Sequence, residues 1–312
     1  MPESMNDLLS GYKWMLFSRL LEEKMVSMQR HGEIGTYPGS KGQEALYVGI
    51  GLKLGQKDCY APYYRDQPTL LMRGYRPLDL MRLWGGDERG NQVGHDFPIS
   101  IPIATHILHA AGAAYAFKIK KTKEIALVTL GDGATSKGDF YEALNFSGLY
   151  DLPILFVINN NRYAISVPLE KQSSQIDLYK KADSFDIESH QLDGLCLKNT
   201  SESLEHYINQ VRSRSRPILL EYKTHRLCDH TTSDDAKRYK SKTIIEKEIA
   251  EDPLVKLRNT LREHQLLNDH QNKLLKEELN ETIQADYVQF INDSTLNYAD
   301  AKSHLYAELP MK

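Results

Sequence analysis

An aspartate and three asparagines follow two short apolar runs in the middle of this chain. Asp132 lies between two glycines directly after residues 125–130, and Asn159-Asn160-Asn161 follow residues 153–158. Carboxylate and amide oxygens are ligands that suit Mg²⁺, which keeps its remaining positions for phosphate oxygens and water. An unpaired carboxylate is costly in a crevice, so Asp132 requires a cation there. The pattern therefore predicts a divalent metal site that receives a diphosphate.

The two apolar runs are short and β-branched, which is typical of strands buried on both faces. Residues 139–149 between them have a helical pattern, so residues 125–158 are predicted to form a βαβ unit with parallel strands. Adjacent parallel strands lie ~5 Å apart, and ligands bind at the carboxyl ends of strands in open α/β sheets. Asp132 and Asn161 should therefore meet at one edge of the sheet.

The remaining elements predict an α/β fold with a doubly wound, mostly parallel sheet and a helical C-terminal tail. Further helices are predicted at 6–31, 43–54, 77–84, 103–120 and 201–212, and further strands at 57–65, 190–192 and 218–222. We expect an α/β domain over residues 1–245, which includes a mobile loop at about 227–243, and a helical extension over residues 246–312.

Composition narrows the classes of partner. The chain has 312 residues, 41% of them hydrophobic, and a formal net charge of -3, which disfavours nucleic acid and acidic membrane surfaces. The N-terminal residues have no secretion-signal pattern and no apolar stretch reaches membrane-spanning length, so we expect a cytoplasmic protein. The three cysteines lie far apart without a CxxC pair, which indicates free thiols.

The segment that contains Asp132 and Asn161 resembles a known cofactor motif. The Gly131-Asp132-Gly133 start, the Asn160-Asn161 end and the 29 positions from Asp132 to Asn161 are similar to the thiamine-diphosphate motif. Residues 131–168 resemble the alpha subunit of the decarboxylating component of 2-oxo acid dehydrogenase complexes, of the pyruvate or branched-chain type. The similarity extends from about residue 16 to residue 266.

The resemblance implies a metal and diphosphate site at the two strand ends. Asp132, the side chain of Asn161 and the main-chain carbonyl of Tyr163 would bind Mg²⁺. Gly133 and Ala134 would contact the diphosphate of thiamine diphosphate through their amides. Without the second half of the motif, a Gly-Asp-Gly sequence would indicate only a turn.

Residues before the motif are implied in binding the same cofactor. Tyr64 and Arg65 match a Tyr-Arg pair that reaches the diphosphate, and an arginine fork suits phosphate oxygens. Ile101 and Ile103 match the segment that holds the aminopyrimidine and thiazolium rings. Without the rest of the motif, Tyr64 and Arg65 would indicate a surface turn. Ile101 and Ile103 would then indicate ordinary core residues.

The remaining candidates for catalytic, cofactor-binding or metal-binding residues are mostly histidines. His230 lies in a polar segment that resembles the family loop that closes over the cofactor, so we assign it a cofactor-binding and catalytic role as an acid or an electrostatic aid. Arg226 and Tyr239 are weaker candidates in the same region. His106 and His109 lie three apart on a predicted helix and could hold a metal, although helix packing at a subunit contact explains them more simply.

The resemblance also implies partners. Thiamine diphosphate supplies carbanion chemistry for decarboxylation, and the acyl group then passes to a lipoyl arm. In the family, the glutamate that activates the aminopyrimidine belongs to a beta subunit, and no residue of this chain matches it. We therefore expect an α₂β₂ heterotetramer, with a contact surface near the small residues 110–114, and a lipoyl acyltransferase as a further component.

Several alternatives stay open. The substrate could be pyruvate, a branched-chain 2-oxo acid or acetoin. The chain could be a non-catalytic homologue, because the segment of residues 93–99 is shorter than in most relatives and lies where the substrate entrance is lined. A nucleotide-binding protein is a third possibility, and it predicts no affinity for thiamine diphosphate.

Overall fold

The computed structural model describes residues 3–91 and 94–293, which form a parallel sheet between two layers of helices. The helices are α1 (Glu3–Arg30), α2 (Glu44–Lys53), α3 (Gln67–Met72), α4 (Pro77–Trp84), α5 (Thr105–Lys120), α6 (Gly138–Leu149), α7 (Leu169–Gln172), α8 (Leu197–Arg214), α9 (Lys242–Ala250), α10 (Pro253–Glu263) and α11 (Asp269–Asn292). The strands are β1 (Cys59–Ala61), β2 (Ala126–Gly131), β3 (Ile154–Asn160), β4 (Tyr163–Ala164), β5 (Val167–Pro168), β6 (Glu188–Asp193) and β7 (Ile218–Lys223). Short 3₁₀ helices lie at Glu88–Asn91, Asp132–Ser136, Leu178–Phe185 and Ala236–Arg238.

The main sheet has the strand order β1-β2-β3-β7-β6, and every neighbouring pair is parallel. Gly131 at the end of β2 is the register partner of Asn159 in β3. The two predicted halves of the motif therefore lie on adjacent strands that end at the same edge. The predicted α/β class and the βαβ unit are confirmed.

Alternate residues of the central strands pack into two separate cores. In β3, Leu155 and Val157 join the core under α1, α2, α8, α10 and α11, whereas Ile154, Phe156 and Ile158 join the core under α5 and α6. All five side chains are fully buried. A strand covered on both faces cannot alternate polar with apolar residues, which explains its continuous apolar sequence.

The structure differs from the predicted elements around the site. A 3₁₀ turn at Asp132–Ser136 separates β2 from α6, and the Thr135 hydroxyl stabilises it by donating to the Asp132 carbonyl at 2.8 Å. The hairpin β4–β5 and the short helices α3 and α7 have too few residues to show a period in the sequence. The polar segment predicted as a loop to about residue 243 ends where α9 begins, at Lys242, after the N-cap Ser241.

The C-terminal helices pack onto the first helical layer. Tyr12 of α1 donates to Asn272 of α11 at 2.8 Å, and the Leu78 amide at the start of α4 donates to Asp286 at 3.1 Å. Helix α9 crosses the predicted boundary between residues 245 and 246, and the division into two units stays a prediction. Residues 294–312 of the predicted extension lie outside the described residues.

Two further sequence-based expectations concern the whole chain. Within residues 3–91 and 94–293, no helix is both long and apolar enough to cross a membrane. Cys59, Cys196 and Cys228 are free thiols, as predicted.

Candidate functional site

The carboxyl ends of β1, β2, β3 and β7 converge on one cleft that contains about 810 Å³ of space continuous with solvent. The cleft is lined by all ten residues that the sequence assigned to the site, namely Tyr64, Arg65, Ile101, Ile103, Asp132, Gly133, Ala134, Asn161, Tyr163 and His230.

Asp132 is a buried carboxylate at the base of the cleft, with 1% of its surface exposed. Burial raises the pKa of its carboxyl to about 6. Its Oδ2 accepts a hydrogen bond from Gln172 Nε2 at 2.6 Å, and it forms no ion pair with a lysine or arginine of the described residues. The buried carboxylate therefore lacks a direct cationic partner among the described residues, which favours a bound cation.

Only one of the three consecutive asparagines lines the cleft. Asn160 Nδ2 donates to Glu221 Oε1 at 2.6 Å, and Asn159 is buried in a network that includes Tyr63, to which its Nδ2 donates at 3.2 Å. Asn161 lies in the cleft wall, where its Oδ1 accepts from the Tyr163 amide at 3.2 Å. The first two asparagines therefore support the sheet, and Asn161 is the one available to a ligand.

Two arginines place buried positive charge beside Asp132. Arg65 and Arg226 are each 2% exposed. Arg65 donates to the Gly39 carbonyl and, at 3.1 Å, to the His230 carbonyl, while Arg226 donates to the Ile165 carbonyl at 2.8 Å. Among the described residues neither arginine forms an ion pair with a carboxylate, and Arg226 Nε has no hydrogen-bond partner. Two buried guanidinium groups, neither in direct contact with a carboxylate, favour an anionic ligand.

Arg226 and Tyr239 were weak sequence candidates, and the structure brings both close to the site. Arg226 lines the cleft and donates to the Tyr239 hydroxyl at 2.7 Å. The signal in the sequence is that Arg226 follows the end of β7 by only three positions. Gln172 was not identified as a site residue, because its contact with Asp132 depends on the hairpin that precedes α7.

His230 is a neutral imidazole held between the two arginines. Its Nδ1 lies 3.2 Å from both Arg65 Nη2 and Arg226 Nη1. A guanidinium can only donate, so Nδ1 must be the acceptor and the ring proton lies on Nε2. Burial and the charges of Arg65 and Arg226 lower the pKa of His230 to about 3.

The loop that carries His230 is fixed to the rest of the chain by hydrogen bonds. The His230 amide donates to Asp234 Oδ2 at 2.9 Å, and the Thr232 amide donates to the Tyr37 carbonyl at 3.0 Å. Tyr64 contacts the imidazole edge to face, with 6.2 Å between the ring centroids. These contacts place the imidazole at the cleft, whereas the predicted mobility of the loop stays a prediction.

Apolar side chains form one open wall of the cleft. Ile101 is 56% exposed and Ile103 is 45% exposed, although both line the cleft. The preceding segment follows the edge of β1, where the Phe97 amide donates to the Tyr60 carbonyl at 2.9 Å. Residue 93 of the short segment lies outside the described residues.

His106 and His109 do not form a metal pair. His106 is buried, and its Nε2 donates to the Thr129 carbonyl of β2 at 2.7 Å. His109 stacks on Phe97 with 5.9 Å between the ring centroids. No group of three or more His, Cys, Asp or Glu side chains suited to a metal occurs in the described part of the chain. His106 thus packs helix α5 onto the sheet of its own chain.

The residues present fit a magnesium diphosphate group. Asp132 and Asn161 offer hard oxygen ligands, and Arg65 and Arg226 offer charge for phosphate oxygens. A Cβ at Gly133 would lie 3.0 Å from the Ala164 Cβ, so a larger residue would have to displace Ala164 by a few tenths of an ångström. Glycine leaves the amides of the turn accessible to an anion.

Comparisons with known proteins agree with this chemistry. The family model described as "Dehydrogenase E1 component" matches residues 12–297. The chain is 34% identical over 305 residues to the pyruvate dehydrogenase E1 component subunit alpha of Mycoplasma genitalium, covering 97% of this chain and 85% of the relative. It is 33% identical over 319 residues to the Bacillus subtilis protein of the same name, covering 99% and 85%. It is also 34% identical over 261 residues to the 3-methyl-2-oxobutanoate dehydrogenase subunit alpha of Mycobacterium tuberculosis, covering 82% and 70%.

Proposed function

Because this chain belongs to the dehydrogenase E1 component family and is the alpha subunit of a 2-oxo acid dehydrogenase, we propose that its cleft binds thiamine diphosphate together with Mg²⁺. The family implies a thiamine-diphosphate-dependent enzyme. When bound, thiamine diphosphate supplies the carbanion chemistry that removes carbon dioxide from a 2-oxo acid. The chain's own residues would bind and orient that group.

The observation that carries the proposal is the pattern of unpaired charge in the cleft. Among the described residues, Arg65 and Arg226 are buried without an ion pair to a carboxylate, and Asp132 is buried without an ion pair to a lysine or arginine. A site for a simple anion would need only the arginines, and a site for a simple cation would need only the carboxylate. A diphosphate that carries Mg²⁺ satisfies both at once.

The cation ligands in this proposal come from the ends of the two central strands. Asp132 would supply a carboxylate oxygen, Asn161 its side-chain oxygen and Tyr163 its main-chain carbonyl. The amides of Gly133 and Ala134 would donate to the diphosphate. The register of Gly131 with Asn159 supports this assignment, because it brings both strand ends to the same edge.

Four residues of the cleft wall would contact the anion or the rings. Arg65 would donate to phosphate oxygens beside Tyr64, which lines the same wall. Ile101 and Ile103 would hold the rings through apolar contact and main-chain groups. Their exposure leaves this end of the cleft accessible to solvent in the chain alone.

His230 would act as a hydrogen-bond donor. Its Nδ1 accepts from two guanidinium groups, so only Nε2 carries a proton. The low pKa of about 3 keeps the ring neutral, which disfavours a role as an imidazolium acid. A neutral Nε2–H group could stabilise negative charge that develops near it. The sequence predicts that His230 acts as an acid or as an electrostatic aid, and this geometry favours the electrostatic role.

The exposed apolar wall supports a partner chain. The relatives are named as subunits of a larger component, and we propose a beta subunit in an α₂β₂ heterotetramer, which would supply the activating glutamate. Ile165 and Val167 of the hairpin extend the exposed apolar surface, at 53% and 41% exposure. A lipoyl acyltransferase would accept the acyl group. The cytoplasmic location stays a prediction.

Calorimetry of the full chain tests cofactor binding. Thiamine diphosphate is titrated into wild type, Asp132→Ala and the control Asp183→Ala, with Mg²⁺ or with a chelator. Asp183 is exposed and does not line the cleft, so its variant should bind as wild type does. We expect Mg²⁺-dependent binding that Asp132→Ala abolishes. Equal binding by both aspartate variants would show that the ligand lies elsewhere.

A turnover assay with the partner chain tests the reaction. Carbon dioxide release is measured with pyruvate and 3-methyl-2-oxobutanoate. With acetoin, which has no carboxylate to lose, the reduction of an artificial electron acceptor is measured instead. We expect turnover with a 2-oxo acid and only when both chains are present. Bound thiamine diphosphate with no turnover on any substrate would support the non-catalytic alternative instead.

A further inference from the structure

Gln172, the last residue of α7, contacts the carboxylate of Asp132. Its Nε2 donates to Asp132 Oδ2 at 2.6 Å, and no other side chain of the described residues donates to this carboxylate. The Gln172 Oε1 lies 3.9 Å from the position that a Cβ at Gly133 would take. The side-chain amide therefore covers the turn that carries the predicted cation ligand.

A short arm carries Gln172 from one half of the site to the other. The arm starts at Asn161, continues through the antiparallel hairpin β4–β5 and ends with α7. It is closed by the Leu169 amide, which donates to the Arg162 carbonyl at 2.9 Å, and Leu169 itself is buried. The hydrogen bond from Gln172 connects the end of the arm to Asp132. The two predicted cation ligands, Asn161 and Asp132, are therefore linked through the arm as well as through the sheet.

The backbone of this arm is strained. Arg162 and Ile165 have φ values of 67° and 57°, in the left-handed region that residues other than glycine rarely adopt. Such conformations persist where surrounding contacts enforce them, and they concentrate at functional sites. Two contacts that restrain the arm are the Gln172 to Asp132 hydrogen bond and the packing of Ala164 over Gly133.

We propose that Gln172 is a positioning residue for the divalent cation. By holding Oδ2 of Asp132, it fixes the orientation in which the carboxylate presents its other oxygen to the cation. Gln172 does not itself bind the cation, because its nitrogen faces the carboxylate. The inference rests on the proposed function, since it assumes that Asp132 is a cation ligand. Loss of hydrogen bonds to metal-ligating groups typically weakens metal affinity by about 10- to 100-fold.

The test compares Gln172→Met with the neighbouring control Lys171→Met. Methionine keeps the length of the side chain and removes its donor, while Lys171 is exposed on the same helix. Binding of Mn²⁺ to the full chain is measured by electron paramagnetic resonance in the presence of thiamine diphosphate. We expect Gln172→Met to bind Mn²⁺ about 10- to 100-fold more weakly than wild type, and the control to be unchanged.

A second readout separates positioning from a structural role. At saturating Mg²⁺ the affinity of Gln172→Met for thiamine diphosphate should return to the wild-type value, because Gln172 contacts the carboxylate and not the cofactor. A structural defect would lower that affinity at every Mg²⁺ concentration. A second variant, Gln172→Lys, would place an ammonium beside Asp132, and it should stabilise the metal-free chain while weakening Mn²⁺ binding further.

The outcomes distinguish this inference from the proposed function. If wild type binds neither Mn²⁺ nor thiamine diphosphate, alone or with the beta subunit, the proposed function fails. If wild type binds both and Gln172→Met binds Mn²⁺ with equal affinity, the proposed function stands and the positioning role of Gln172 is overturned. Weakened cofactor binding that excess Mg²⁺ does not restore would also overturn it.

Discussion

Replacement of Asp132 by asparagine should stabilise the metal-free chain. Burial raises the pKa of this carboxyl from its usual 3.8 to about 6. One pKa unit corresponds to ~1.4 kcal/mol, so the ionised carboxylate costs the folded state ~3 kcal/mol at neutral pH. Asparagine has nearly the same shape without the charge, and its oxygen can still accept from Gln172. Because burial of the amide has its own cost, we expect a gain of ~1–3 kcal/mol in the free energy of unfolding.

The pH dependence of this effect has a defined sign. The pKa of Asp132 is higher in the folded state than in the unfolded state. Between about pH 6 and pH 4 the folded state therefore binds a proton that the unfolded state does not, so this group stabilises wild type as the pH falls through that window. The contribution is complete below the unfolded pKa and is lost as the pH rises through 6. The asparagine variant should lack it.

Urea unfolding of the full chain measures both effects. Wild type and Asp132→Asn are compared at pH 7.5 and pH 5 in a chelator, and then with Mg²⁺ and thiamine diphosphate at 100 times the wild-type dissociation constant. Under the second condition wild type should gain ~2.7 kcal/mol and the variant almost nothing. A variant that is less stable than wild type at pH 7.5, or that is stabilised equally by the ligands, would refute the reasoning.

Two further predictions concern the close approach at Gly42 and the pKa of His230. Gly42→Ala should lower the free energy of unfolding by ~3 kcal/mol in urea titration, since Gly42 has a φ of +90° and a Cβ there would lie 2.5 Å from the His225 carbonyl oxygen. Gly112→Ala, where a Cβ meets nothing within 4 Å, is the matched control and should not destabilise. The pKa of His230, measured by nuclear magnetic resonance, should lie well below 6.5 and rise in Arg226→Met, because Arg226 disfavours the imidazolium. Since the folded pKa is lowered, His230 reduces stability as the pH falls from about 6.5 toward 3, and an unshifted pKa would contradict the assigned contacts.

Much of the site could be predicted from the sequence because its signals are local. A buried parallel strand is a short apolar run, and the residues that follow it must lie at the carboxyl edge of the sheet. Asp132 and Asn161 each follow such a run, so their types indicated the cation, and the resemblance of their motif implied the cofactor family. The family matches agree with the interpretation drawn from those residues.

Other parts of the site depend on contacts between distant segments, which no local pattern encodes. The motif resemblance singles out Asn161, but only the tertiary structure shows that Asn159 and Asn160 bond within the sheet, and only it places Gln172 on Asp132. The protonation of His230 is likewise decided by Arg65 and Arg226, which come from the ends of different strands. The sequence by itself determined which chemical groups end the strands, because strand ends are local. The fold decided which of those groups meet and how they are charged, because burial and charge pairing are properties of the assembled cleft.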